Sequence, residues 1–175
     1  MNDLRDLYQE VILDHGKAPR NFGHPAEANR TAHGHNAMCG DTIDVFLTVD
    51  DDGKIQDAAF EGQGCAISVA SASMMTEMLK GKSQADAHHL FETMHALCTG
   101  HEDEADLADL DEDTADRMQI LAGVRQYPMR VKCATLAWHT MDKAMNAMVK
   151  EMIAPFSAAV PWMVSPSIAA RRSVA

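Results

Sequence analysis

The side chains that could do chemistry sit in three short stretches. Met38-Cys39-Gly40-Asp41 sets a thiol and a carboxylate two positions apart across a glycine, and Gly62-Gln63-Gly64-Cys65 and Arg130-Val131-Lys132-Cys133 each end on a further thiol. Three thiolates and one carboxylate fill the tetrahedral shell of a borderline-soft cation such as zinc. Thiolate is also the form of cysteine that attacks sulfur, and its share rises beside a cation or at a helix N-terminus. The spacing contains no Cys-x-x-Cys pair, so the expectation is a geometric one. Folding must gather Cys39, Asp41, Cys65 and Cys133 around one ion and leave one sulfur reachable.

Each of these residues falls at a joint between elements, where sites are commonly built. Leu4, Leu7, Tyr8, Val11 and Ile12 repeat at helical spacing behind Asn2 and Asp3, and Pro19 follows the stop near Asp14-His15-Gly16. Residues 24–37 hold three histidines and no clear period, which reads as irregular chain. Ile43, Val45, Leu47 and Val49 alternate with Thr42, Asp44, Phe46 and Thr48 at the two-residue period of a strand, and Asp50-Asp51-Asp52-Gly53 turns the chain into a second, antiparallel strand over Ile55 to Glu61. Those aspartates do not make a calcium loop. With Gly53 in register, Thr48 and Ala59 would occupy the first and last ligand positions.

Cys65 then stands at or just before the start of a helix carrying Ile67, Ala70, Met74 and Met78 to Lys80-Gly81, so the helix dipole favours its thiolate. Small residues, Ser68 to Ser73, let that helix lie close to its neighbours. Ala85 to Leu97 predicts another helix capped by Ser83, and Met118, Leu121 and Val124 a short one before Tyr127-Pro128. A long helix beginning near Cys133 keeps Met141, Met145, Met148 and Met152 on one packing face. Cys39, in a glycine-containing turn ahead of a strand, should be exposed.

At 175 residues with a net charge of −11, the chain is long enough for one well-packed domain. Nine acidic residues and no basic ones fall within 102–116, so most of that charge is one local, solvated face. With no basic stripe to neutralise phosphates, nucleic acid is excluded as a partner. No secretory segment opens the chain and no apolar run is long enough to span a membrane, so a cytoplasmic location is expected. Cys98 reads as a half-buried helical thiol outside the site despite His95 and His101 nearby, and His33 and His35 offer no ligand geometry. Residues 1–153 are expected to form the domain, with 154–175, holding three prolines, Trp162 and Arg171-Arg172, as a loosely held tail.

The words around the cysteines are more specific than their spacing. Cys39-Gly40-Asp41, Phe60-Glu61-Gly62-Gln63-Gly64-Cys65 with its Ser/Ala-rich helix, and Arg130-Val131-Lys132-Cys133-Ala134-Thr135-Leu136 closely resemble the iron–sulfur assembly scaffolds of the NifU/IscU group, as do Tyr8, Asp14-His15 and Pro19-Arg20-Asn21. The resemblance covers roughly residues 4–150. Two departures make the chain most similar to the SufU branch: Lys132 stands where IscU-type scaffolds carry a histidine, and an extra segment separates Cys65 from Cys133.

The resemblance implies an α+β fold of the IscU/SufE-like type, a small antiparallel sheet with helices on one face and the metal site at its edge. It implies zinc on Cys39, Asp41, Cys65 and Cys133, or alternatively iron or a [2Fe–2S] cluster assembled there and passed on. It further implies that Cys39 accepts persulfide sulfur from a SufS-type, pyridoxal-phosphate-dependent cysteine desulfurase, that Arg130 helps docking or transfer, and that downstream iron–sulfur assembly proteins are partners.

Overall fold

The computed structural model describes residues 3–151. Helix α1 (Asp3–Lys17) leads into strands β1 (Arg30–Asn36), β2 (Asp41–Val49) and β3 (Ile55–Gln63), followed by α2 (Ala66–Leu79), α3 (Gln84–Thr99), α4 (Glu112–Ala122) and α5 (Pro128–Glu151). The strands form one antiparallel meander in the order β1-β2-β3, and helices pack on it to bury a single core, the α+β arrangement expected. The tail over 154–175 and the proposed domain boundary lie outside the described residues.

Alternation in β2 explains the core. Ile43, Val45, Leu47 and Val49 all point inward and are buried, and across the ladder Val45 meets Phe60, Leu47 meets Ala58 and Val49 meets Ile55. Above that face runs α2, in contact with β3, α1 and α5. Its mean composition is small and apolar, so it can be surrounded. Met74, Met75 and Leu79 are fully buried, each contributing about 1.5–3 kcal/mol by removal from water. Its buried hydroxyls are used: Ser71 Oγ donates to Ala134 O (2.5 Å) and accepts from Trp138 Nε1 (3.1 Å), while Ser73 Oγ accepts from the Arg20 backbone N–H (2.8 Å) and meets His15 Nδ1 (2.8 Å). These bonds staple α5, α1 and the following loop to α2.

Three local expectations are corrected. Residues 24–37 are not irregular throughout, since Arg30–Asn36 is an edge strand paired in register with β2 from Arg30↔Leu47 to Asn36↔Asp41. The residues on its inner face are Arg30, Ala32, Gly34 and Asn36, so no apolar alternation announces it. The reason is α5, which crosses so close that a side chain at Gly34 would overlap Thr140 Oγ1. The acidic stretch is also more ordered than a solvated run: α4 begins inside it, with Asp111 Oδ1 capping the Thr114 N–H (2.9 Å) and Asp113 and Glu77 both bridged by Arg117. Finally, α5 starts at Pro128, a favoured first helical residue, which places Cys133 in the second turn and not at the opening of the helix. Met141 and Met145 on that helix are buried as the methionine stripe required.

Candidate metal centre

The site lies at one end of the sheet, where the β1–β2 turn, the exit of β3 and the second turn of α5 meet. Gly40 makes the β1–β2 turn possible, with φ of 72°, a left-handed conformation that glycine adopts without Cβ strain. The turn lifts Cys39 into solvent, as expected, and returns the chain to Asp41, the first residue of β2. Asp41 is only 1% exposed. Its Oδ1 accepts the Cys65 backbone N–H at 2.9 Å, and Cys65 Sγ lies 3.8 Å from Oδ2. Gly64 permits that approach, because a Cβ there would sit 2.8 Å from Asp41 Oδ1.

Cys65 is the N-cap of α2 and exposed, the position the helix argument assigned to it. Cys133 is buried, one helical turn beyond Met129, and its Sγ is 3.1 Å from Cys39 Sγ. Burial pushes the Cys133 thiol well above its ordinary range, and hydrogen bonds with Cys39 and Asp41 add to the shift. A helix beginning near Cys133, as the sequence suggests, would have set its thiol at a dipole-favoured N-terminus, but the sulfur lies in the second turn, buried and desolvated.

Cys39, Asp41 and Cys133 each place one ligand atom within 4.8 Å of the others, and among the described residues they are the one such group of three or more. Cys65 stands beside the group, linked to it through Asp41. The donor set fits a thiophilic cation. Two sulfurs and a carboxylate oxygen already converge, a third sulfur is adjacent, and the buried carboxylate and thiol gain from a positive charge that would offset their desolvation.

Cationic side chains flank the centre. Lys132 Nζ reaches 3.4 Å to Met38 Sδ over the site turn, and the Arg130 guanidinium lies 5.0 Å from the centroid of the Tyr127 ring, exposed, one turn ahead of Cys133. Around them Met38, Tyr127 and Met129 expose apolar surface.

The remaining sulfur and imidazoles stay apart. Cys98 sits on the core face of α3, fully buried and not half-buried as expected, and burial pushes its thiol up to about 12. His101 Nδ1 meets Thr99 Oγ1 at 3.0 Å, and His33 Nδ1 meets Asp44 Oδ1 at 2.7 Å on the exposed side of β1. One residue that the sequence reading passed over belongs to the site. Asn36, the last residue of β1, is nearly buried; its side-chain oxygen accepts the Met38 N–H at 3.2 Å and its amide nitrogen lies 3.8 Å from Cys133 Sγ. The signal that could have found it is an asparagine opening a glycine-containing turn, the habit of an Asx turn.

An exposed thiol, a buried carboxylate and a buried thiol grouped at the end of a helix-covered meander form a group that could hold a metal ion on an α+β domain. Residues 7–134 match the NifU-like N terminal domain family. The chain belongs to that family, the iron–sulfur cluster assembly scaffolds. It is 38% identical over 146 residues to the iron–sulfur cluster assembly scaffold protein IscU of Streptococcus pyogenes serotype M1, covering 83% of this chain and 87% of the relative. It is 40% identical over 143 residues to the zinc-dependent sulfurtransferase SufU of Bacillus subtilis, covering 81% and 90%. The crystal structure of a SUF-system scaffold protein (FiSufU) from Fervidobacterium islandicum superposes with a TM-score of 0.68 at 34% identity, over 78% of this chain and 94% of that one. No helix among the described residues is long and apolar enough to cross a membrane.

Proposed function

We propose that this protein is a zinc-bound sulfur acceptor in iron–sulfur cluster assembly, with Cys39, Asp41, Cys65 and Cys133 as the metal ligands and Cys39 as the accepting sulfur. The observation that carries the reading is the asymmetry of the group. Cys39 is exposed at the tip of a turn, while Asp41 and Cys133, within 4.8 Å of it, are buried. A purely structural centre would have no need of sulfurs held in solvent, as those of Cys39 and Cys65 are. Bound zinc would keep the sulfurs as thiolates and shield them from oxidation.

The chain's own residues supply the rest. The Cys39 thiolate attacks the outer sulfur of a persulfide, R–S–SH, carried by a partner desulfurase. A new S–S bond forms on Cys39 as the partner's S–S bond breaks, leaving Cys39–S–SH and the partner's thiolate, with no net oxidation. Arg130 and Lys132 offset the negative charge gathered there, and the exposed Met38, Tyr127 and Met129 give the partner an apolar surface. A SufS-type, pyridoxal-phosphate-dependent desulfurase in the cytoplasm fits that role, and the sulfur then passes to downstream assembly proteins.

Support comes from the Bacillus subtilis relative, described as a zinc-dependent sulfurtransferase. A second reading, a scaffold for a [2Fe–2S] cluster on the same ligands, draws on the relative named IscU and on the suitability of thiolates for either species. Lys132 in the place of a further nitrogen ligand favours zinc. Metal analysis and visible absorbance of protein purified without added iron separate the two, because zinc is colourless. Desulfurase turnover with wild type and Cys39→Ala then tests the acceptor. Stimulation should be lost in the variant, and undiminished stimulation removes Cys39 from the role.

A further inference from the structure

We infer that Asn36 makes the sulfurs of the centre unequal, holding Cys133 as the retained ligand and presenting Cys39 as the one that reacts; this rests on the thiolate centre proposed above. Asn36 closes β1, is 9% exposed, and touches both sides of the group through its main-chain carbonyl and its side-chain amide. Its main-chain carbonyl accepts the N–H groups of Cys39 (3.3 Å) and Gly40 (2.8 Å), and its side-chain oxygen accepts the N–H of Met38 (3.2 Å). Three consecutive N–H groups of the turn that carries Cys39 thus end on one residue.

These bonds also fix the orientation of the amide. The Met38 N–H can only donate, so the oxygen must face it, and the NH₂ is left facing Cys133 Sγ at 3.8 Å. A donor aimed at a thiolate draws charge from the sulfur lone pair and makes it a poorer nucleophile, without displacing it from a cation. Cys133 receives that donor and is buried. Cys39 receives its turn geometry from the same residue, yet among the described residues its sulfur has one hydrogen-bonding partner, Cys133 itself. Asn36 therefore acts as a positioning residue, reaching the reacting atom through the turn and its neighbour.

Zinc-loaded protein treated with substoichiometric iodoacetamide and mapped by peptide mass spectrometry reads the inequality directly, with no desulfurase present. Wild type should carry the label on Cys39 well above Cys133; equal labelling overturns the inference. Asn36→Asp keeps an oxygen for the Met38 N–H and removes the donor to Cys133, so the Cys133 share should rise about fivefold, the factor corresponding to roughly one net hydrogen bond. In the cobalt(II)-substituted variant the thiolate-to-cobalt charge-transfer band should move to longer wavelength. Asn36→Ser, neutral and too short to reach Cys133 while able to accept from the Met38 N–H, is the second arm where the aspartate charge strips the metal. A residue that only builds the turn would leave both label ratio and cobalt band as in wild type, and that result overturns the inference. Failure of wild type to bind either metal removes the centre itself, whereas loss of sulfur transfer with the labelling pattern intact would fall on the proposed function alone.

Discussion

The meander has two turns, alike in composition and opposite in use. Both carry an aspartate and a glycine with positive φ, 72° at Gly40 and 80° at Gly53. In the β2–β3 turn, Asp50 spends its carboxylate on its own segment. Oδ1 accepts the N–H groups of Asp52 (3.0 Å) and Lys54 (2.8 Å), and Oδ2 accepts Gln56 Nε2 (2.6 Å). In the β1–β2 turn the corresponding acceptor is the neutral Asn36, which takes the N–H two residues on, just as Asp50 does. Asp41 is thereby spared from turn building and faces Cys39 and Cys133. A carboxylate whose acceptor sites are filled by its own loop is architecture. One left beside two thiols by a neighbour that does the turn's work is available for chemistry.

Substitutions at the two turns break the comparison most sharply. Cys133→Ala removes one of the two sulfurs already in contact and should lower zinc affinity by at least about 100-fold, more than an outer-shell change would; equilibrium competition with a chromophoric chelator measures it. Asp50→Ala should keep a full equivalent of zinc and lower the melting midpoint by a few degrees, because only the turn's own hydrogen bonds are lost. Loss of zinc from Asp50→Ala would show that the turns are not independent.

The glycines provide a finer contrast. At Gly64 the backbone conformation suits any residue, but an added methyl meets Asp41 Oδ1 at 2.8 Å, so the carboxylate must shift. Gly64→Ala should therefore cost about tenfold in zinc affinity, the effect of disturbing a ligand's supporting shell, with a modest change in stability. At Gly53 the surroundings are open, the nearest atom being Gln84 Oε1 at 3.8 Å, and the left-handed backbone is the obstacle. Gly53→Ala should cost about 1 kcal/mol of stability and leave zinc affinity alone. Denaturant titration and chelator competition on the two variants should give opposite patterns.

How far the sequence discloses these features depends on which residues carry them. Strand β2 announces itself because Ile43, Val45, Leu47 and Val49 face a helical layer that demands apolar bulk. Strand β1 is silent because α5 crosses so close at Gly34 that no side chain fits there, and with Arg30, Ala32 and Asn36 at the other inward positions its inner face has no hydrophobic period. The start of α5 is misplaced for a related reason. Pro128 reads as a break when approached from the preceding turn, yet it is the first residue of the helix, and Cys133 moves from a dipole-activated end to a desolvated interior. The cysteines and Asp41 are legible as a set because thiols and a carboxylate are the residue types that ligate a thiophilic cation, and each stands in a short, distinctive glycine- or cation-flanked stretch. Asn36 is not, since its role depends on which partner each half of its amide finds, and that is fixed only by the crossing of α5 over the end of β1.

The smallest effect expected separates the turns by pH. Hydrogen bonds from the Lys54 N–H and the Gln56 side chain hold the Asp50 carboxyl below its ordinary value. A depressed carboxyl stabilises the fold above the unfolded-state pKa, about 3.9, and that contribution fades as pH falls through the lower folded-state value. Asp50→Asn retains one acceptor oxygen and cannot titrate. The difference in melting midpoint between wild type and Asp50→Asn should be level from about pH 7 to 5 and shrink below about pH 4, where wild type loses its advantage. Because the carboxylate is solvated the whole difference is small. His15, held below its ordinary pKa by burial against α2, destabilises the fold as pH drops below about 6.5, but it does so in both proteins and cancels. The same series on Asn36→Ser, with zinc removed from all samples, should show no such carboxylate-range change relative to wild type, since the acceptor lost there never carried a charge. A midpoint difference for Asn36→Ser that also collapsed below about pH 4 would mean that a carboxylate, not the neutral Asn36, holds the site turn together, and the division of labour between the two turns would be wrong.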